Sequence, residues 1–216
     1  MHNKKSIYEL EFDCLSEAKA TELVEKYFAS EQVHLIYYVE PELALDDLSE
    51  KEISLIQSAK LVMAVHTELC EALQGAKENY GRIIKGMELL RIISAFVKKK
   101  KEKLVILSSS EEEYETFVKC FHLEKELCKN VIITQIKETD MDGFINDINM
   151  DMAPVVFSVM QHDIQMEFIQ SYVDKLDTKM VVMLGNSLEY MKKSEKRIHK
   201  VLKLLHIGKK HYNLPK

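Results

Sequence analysis

The chain has 216 residues, 46% of them apolar and 30% charged, with a formal net charge of −5. This composition excludes a disordered chain and suits one folded body with a sizeable core. Six glycines and four scattered cysteines, none in a C-x-x-C pair, count against a glycine-rich nucleotide cradle, a disulfide framework and a zinc site. No apolar run approaches the ~18–20 residues of a membrane span. The opening "MHNKKSIYELEF" lacks the apolar core of a signal peptide, and the expectation is a cytoplasmic protein with reduced, mostly buried thiols.

Beyond the edge-like "SIYELEF", six runs read as strands: "VHLIYYV" (33–39), "KLVMAV" (60–65), "KLVILS" (103–108), "NVIITQI" (130–136), "PVVFSVM" (154–160) and "KMVVMLG" (179–185). Helical periodicity fills the intervals. Leu89, Ile92, Ile93 and Phe96 share a face, as do Tyr114, Phe117, Val118 and Phe121, and then Phe168, Ile169, Tyr172 and Val173. Strands apolar on both faces and separated by helices predict right-handed βαβ crossovers. The fold expected is α/β: one Rossmann-like domain over residues 1–187, its mostly parallel sheet covered by helices on both faces, then a basic helical tail over 188–216.

In such a sheet ligands bind beyond the carboxyl ends of the strands. Four strand-end segments, "EPEL" (40–43), "HTELC" (66–70), "QHDIQ" (161–165) and "GNSLEY" (185–190), are expected to converge there. Glu40, Glu42 and Glu189 offer carboxylates, and His66 and His162 offer imidazoles for acid–base work. Asp163 and Ser187 also read as helix N-caps. His34, inside an apolar run, reads as a satisfied core or edge residue. The lysines at 98–101 read as the solvated end of a helix, where cations suit the macrodipole. No metal-ligand spacing is present.

The charge is divided unevenly. Residues 192–216 carry nine Lys or Arg and one Glu, so the total of −5 splits into +8 on this tail and −13 on the rest. Ile198, Val201, Leu202 and Leu205 follow amphipathic spacing, which suits either an anionic bilayer or the surface of the body. Nucleic acid is not expected, because only Tyr212 interleaves the basic residues with an aromatic ring.

The order of these segments resembles the WecG/TagA/CpsF glycosyltransferases over nearly the whole chain. "MQHDIQMEFI" and "MLGNSLEYM" are similar to the family's G-x-P-x-Q-E-x-W-I and G-V-G-G-x-F-D stretches: Gln165 matches its Gln, Phe168 and Ile169 its Trp-Ile, Gly185 a glycine and Glu189 its Asp. "ELEFDCLSEAKATELVEKYF" resembles the opening strand and helix. "VEPEL" resembles T-x-N-P-E through Pro41 and Glu42, and "GRIIKGMEL" resembles R-x-x-G-x-D-L through Arg82 and Gly86.

The resemblance implies transfer of an N-acetylmannosamine-type sugar from a UDP donor to a lipid-linked acceptor at the inner membrane face, in bacterial cell-surface polysaccharide synthesis, with inversion and without metal or cofactor. Arg82 would hold diphosphate, while Gln165, Gly185, Ser187 and Glu189 would line the donor. The family base, the Asp of L-P-D-G, falls on Val65 of "MAVH". His66 or Glu40 would have to replace it. The alternative is a non-catalytic binding or regulatory relative of the same fold, alone, as a homo-oligomer or beside a partner transferase. The L-L-G-G turn has likewise become "ILSSS". If Tyr38, Met63, Met160 and Met183 fill the strand-end cleft, the site is closed.

Overall fold

A computed structural model describes residues 3–7, 9–40, 43–44, 48–65, 69, 84, 86–136 and 140–185. The chain opens with a hairpin, β1 (Asn3–Ile7) and β2 (Leu10–Cys14), followed by α1 (Glu17–Phe28). Then come β3 (His34–Val39), α2 (Glu50–Gln57), β4 (Leu61–Ala64), α3 (Gly86–Lys100), β5 (Leu104–Ser108) and α4 (Glu111–Cys120). They are followed by β6 (Cys128–Ile132), α5 (Met141–Met150), β7 (Val155–Ser158), α6 (His162–Tyr172) and β8 (Met180–Met183). Each of the six expected strand runs contributes one strand to a single six-stranded sheet of order β4-β3-β8-β7-β5-β6, and every pairing in it is parallel.

The alternation of side chains across each strand explains the layers. Tyr37, Val39, Val62, Val105, Val156 and Val181 face one layer with residues of α2, α5 and α6. Ile36, Tyr38, Met63, Ile106, Phe157 and Val182 face the other with α1, α3 and α4. Crossovers that run one way along the sheet thus use one layer and those that run the other way use the opposite layer, so all share one hand.

Local chemistry fixes where most helices begin. Ser16, Ser49, Ser110 and Asp140 each accept a first-turn N–H at the start of α1, α2, α4 and α5, and Ser49 forms a full capping box with Glu52. The edge strand β4 is covered by the hairpin: buried Asp13 accepts from the Val62 N–H at 2.7 Å, and Gln57 donates to the Glu11 carbonyl at 3.2 Å. An exposed row of strand N–H groups would otherwise invite another chain.

Five expectations need correcting. The run expected at 130–136 forms a strand two residues earlier, ending at Ile132; only Ile133 N–H still reaches β5, at Ser108 O, before the chain turns away. Asp163 does not cap α6, which begins at His162 with Gln161 as its N-cap and no side-chain cap bond. The three described cysteines are not buried, Cys120 being exposed and Cys14 and Cys128 partly so. His34 is buried and stacked on Tyr27 at 4.0 Å, but its Nε2 has no hydrogen-bond partner. The lysine run does end α3, yet it is not merely solvated: Lys98 donates to Phe121 O, and Lys100 sits over the Phe28 and Phe96 rings. Among the described residues no helix is long and apolar enough to cross a membrane. The tail at 188–216 lies outside the described residues.

Candidate functional site

The strand order has a direct consequence for the four strand-end segments. β4, β3, β8 and β7 are consecutive parallel neighbours in the sheet, so their carboxyl ends reach the same edge side by side. Glu40 follows β3, Gly185 follows β8, and the β7–α6 junction brings His162 and Gln165.

Three of the expected residues meet. Gly185 has φ +54, in the left-handed region that suits glycine. A Cβ placed there would lie 2.5 Å from Glu40 Oε1 and 3.0 Å from Gln165 Nε2. Glycine therefore serves two needs at once: it allows the turn, and it leaves room for a carboxylate and a carboxamide to approach the backbone. Gln165 is 1% exposed, and its Oε1 has no hydrogen-bond partner. A buried amide oxygen left unpaired costs about 1–3 kcal/mol, which a bound donor group would recover. The first-turn N–H groups of α6 receive no side-chain cap either, and a helix N-terminus of that kind favours electron-rich ligand atoms.

A second group of residues stands behind this cluster, and reasoning from sequence missed two of its members, Tyr37 and Glu52. Tyr37 Oη lies 3.0 Å from His162 Nδ1 and 3.8 Å from Met166 Sδ. His162 Nε2 is 3.7 Å from Glu52 Oε1. Burial first, then the Glu40 and Glu52 carboxylates, pushes the Tyr37 hydroxyl well above the ordinary tyrosine range, so it stays protonated. The two bonds from Ser49, more than the imidazole, hold the Glu52 carboxyl below its usual range. The only local signal for Glu52 is the Ser49-x-x-Glu52 capping box; nothing local links it to residue 162.

Val65, where the sequence resemblance would put a base, is 5% exposed, and its N–H donates to Val39 O at 3.1 Å. Glu40, the next residue after Val39, is therefore one strand away from that position and is the described carboxylate nearest to it in register. Of the four side chains expected to close the cleft, all are buried, but Tyr38 and Met63 lie in the α1–α3 layer and Met160 and Met183 in the opposite one. They are thus divided between the two layers. His66, Arg82, Ser187 and Glu189 lie outside the described residues, as does Glu42.

The junction after β5 is a contrasting case. Ser108 donates to Asn130 Oδ1 at 2.8 Å, Asn130 donates to Glu111 at 2.8 Å, and Ser109 N–H donates to Glu113 at 2.7 Å. Its polar groups are largely used within the protein. Among the described residues no cluster of three or more His, Cys, Asp or Glu is placed to hold a metal ion. Compared with known proteins, the chain matches no protein-family profile and no curated protein sequence.

Proposed function

We propose that this chain is a divergent WecG/TagA/CpsF-like glycosyltransferase that takes a UDP-N-acetylhexosamine as donor and a lipid-linked sugar as acceptor at the edge formed by β3, β8 and the β7–α6 junction. The observation that carries this reading is the convergence of Glu40, Gln165 and Gly185 from three chain segments, with the Gln165 carboxamide oxygen buried and unpaired. A carboxylate oxygen and a carboxamide nitrogen meet at Gly185, and the carboxamide keeps an unpaired acceptor oxygen; this mixture suits the hydroxyl and amide groups of a sugar ring better than a phosphate.

The reaction would be a single inverting displacement. The acceptor hydroxyl oxygen forms a bond to the anomeric carbon, the bond from that carbon to the UDP oxygen breaks, and the hydroxyl proton passes to Glu40. His66 is the other candidate base named by the sequence. The diphosphate would be held by Arg82 and the uncapped N-terminus of α6. The basic tail from Lys192 would keep the chain at an anionic membrane face; binding to anionic liposomes that falls with salt and with removal of residues 192–216 supports this, and equal binding to neutral liposomes contradicts it.

Val65 favours a second reading, since a buried valine cannot accept a proton: the chain binds the UDP-sugar without transferring it. Assaying UDP release from UDP-N-acetylmannosamine with a lipid-linked sugar acceptor separates the two. The first reading expects slow transfer that falls by ~10²–10⁴ in Glu40→Gln while donor binding persists. A similar fall in His66→Ala alone would move the base to His66. Binding without transfer selects the second reading, and no binding rejects both.

A further inference from the structure

We infer that His162 is a positioning residue: held between Tyr37 and Glu52, it fixes the first turn of α6 so that the Gln165 carboxamide stands over Gly185 beside Glu40. This rests on the reading of that edge as the donor-sugar site, and it assigns a role to a residue that the family resemblance leaves unassigned.

Each of α1, α2, α4 and α5 has a Ser or Asp at its N-cap that bonds the first turn, whereas α6 has Gln161 there and no side-chain bond. Its first turn is instead tied to other elements through His162, the first helical residue. One ring nitrogen is hydrogen-bonded to Tyr37 Oη on β3 at 3.0 Å, and the other, which makes no hydrogen bond, faces Glu52 Oε1 on α2 at 3.7 Å. Gln165 is three residues further along the same turn, and its N–H donates to Gln161 O at 3.0 Å. Glu40 is three residues beyond Tyr37 on the other side of the pair. The His162–Tyr37 bond, with the weaker Tyr37–Met166 contact at 3.8 Å beside it, therefore links the two segments that carry the site's two polar side chains.

The chemistry of the contact fixes the tautomer. Tyr37 is 1% exposed and carries one proton, with two acceptors in reach, His162 Nδ1 at 3.0 Å and Met166 Sδ at 3.8 Å; a thioether is the weaker acceptor, so the proton goes to Nδ1 and the imidazole proton stands on Nε2, on the side of the Glu52 carboxylate. The reverse arrangement would turn a bare nitrogen lone pair towards a carboxylate.

The test uses the full chain, labelled with ¹⁵N. Imidazole ¹⁵N shifts should report the Nε2–H tautomer for His162 in the wild type and a mixture of tautomers in Tyr37→Phe. His162→Ala should shift the Gln165 side-chain amide resonances and weaken UDP-N-acetylmannosamine binding about tenfold, the equivalent of one hydrogen bond. His162→Asn, whose Oδ1 can accept from Tyr37 in place of Nδ1, should restore the Gln165 resonances. An Nδ1–H tautomer in the wild type, Gln165 resonances unmoved in His162→Ala, or no rescue by Asn would each overturn the inference. Failure of the wild type to bind the UDP-sugar rejects the site reading instead, and the resonances still decide whether His162 positions Gln165.

Discussion

The two strand-to-helix junctions at β5–α4 and β7–α6 leave the same edge of one sheet from neighbouring strands, and they use their polar residues in opposite ways. At β5–α4, Ser110 caps the helix, Glu113 returns to Ser109 N–H, and Ser108, Asn130 and Glu111 form a chain of bonds. Only the Ser109 hydroxyl is left over. At β7–α6 no side chain caps the helix, the Gln165 carbonyl oxygen is buried without a partner, and the histidine is drawn back to Tyr37. The first junction is stabilised by its own side chains. The second keeps hydrogen-bonding capacity in reserve, at a cost in stability, and this is the pattern expected where a ligand completes the structure.

This contrast can be broken by mutation. Gly185→Ala should have the largest effect, because it combines a left-handed backbone with a collision at Glu40 Oε1; a loss of about 2–3 kcal/mol in denaturant unfolding is expected. An unchanged midpoint would mean that Glu40 moves aside freely and that the cluster is loose. Gln165→Met keeps the volume and removes the unpaired oxygen, so it should stabilise the chain without ligand by about 1–2 kcal/mol. A destabilised variant would show that the carboxamide is structural.

At the other junction, Ser110→Ala removes a cap that bonds Glu113 N–H at 3.3 Å and should cost about 1 kcal/mol with no change in UDP-sugar affinity. The smallest effect is expected away from both junctions, at His34. Burial, with Lys60 and Lys26 adding less, lowers its proton affinity in the fold. The unfolded chain then binds the proton more readily, so this contribution to stability is complete above ~6.5 and is lost as pH falls from there towards the depressed folded value. His34→Phe, which keeps an aromatic ring against Tyr27, should flatten that part of the stability–pH curve; an unchanged slope would place its origin in other groups.

Much of this architecture was legible because it is local. Runs such as "PVVFSVM" are apolar on both faces, and only a sheet covered on both sides needs that pattern. Glu40 could be named in advance because parallel strands deliver their trailing residues to one edge; the same rule gave the segments of Gln165 and Gly185, and the family resemblance singled out those two residues within them. What was not legible depends on contacts between distant segments. Asp163 has the better intrinsic preference for an N-cap, yet α6 starts two residues earlier than that cap would set, at His162, which is bonded to a tyrosine 125 positions away. Cap preference is a property of a few neighbouring residues, whereas the Tyr37–His162–Glu52 line exists only once β3, α2 and α6 are packed. The position of the fourth sheet strand slipped for a related reason: at the sheet's edge only one neighbour, β5, sets the register.

The central claim, that the β7–α6 junction is an unfinished ligand site, is tested most directly by thermal unfolding with and without UDP-N-acetylmannosamine in the wild type and in Gln165→Met. The account predicts that ligand at a hundredfold excess over the wild-type Kd stabilises the wild type by ~2.7 kcal/mol and the variant, whose affinity is about tenfold weaker, by only ~1.4 kcal/mol. No ligand response in the wild type, or an equal response in both, would contradict it.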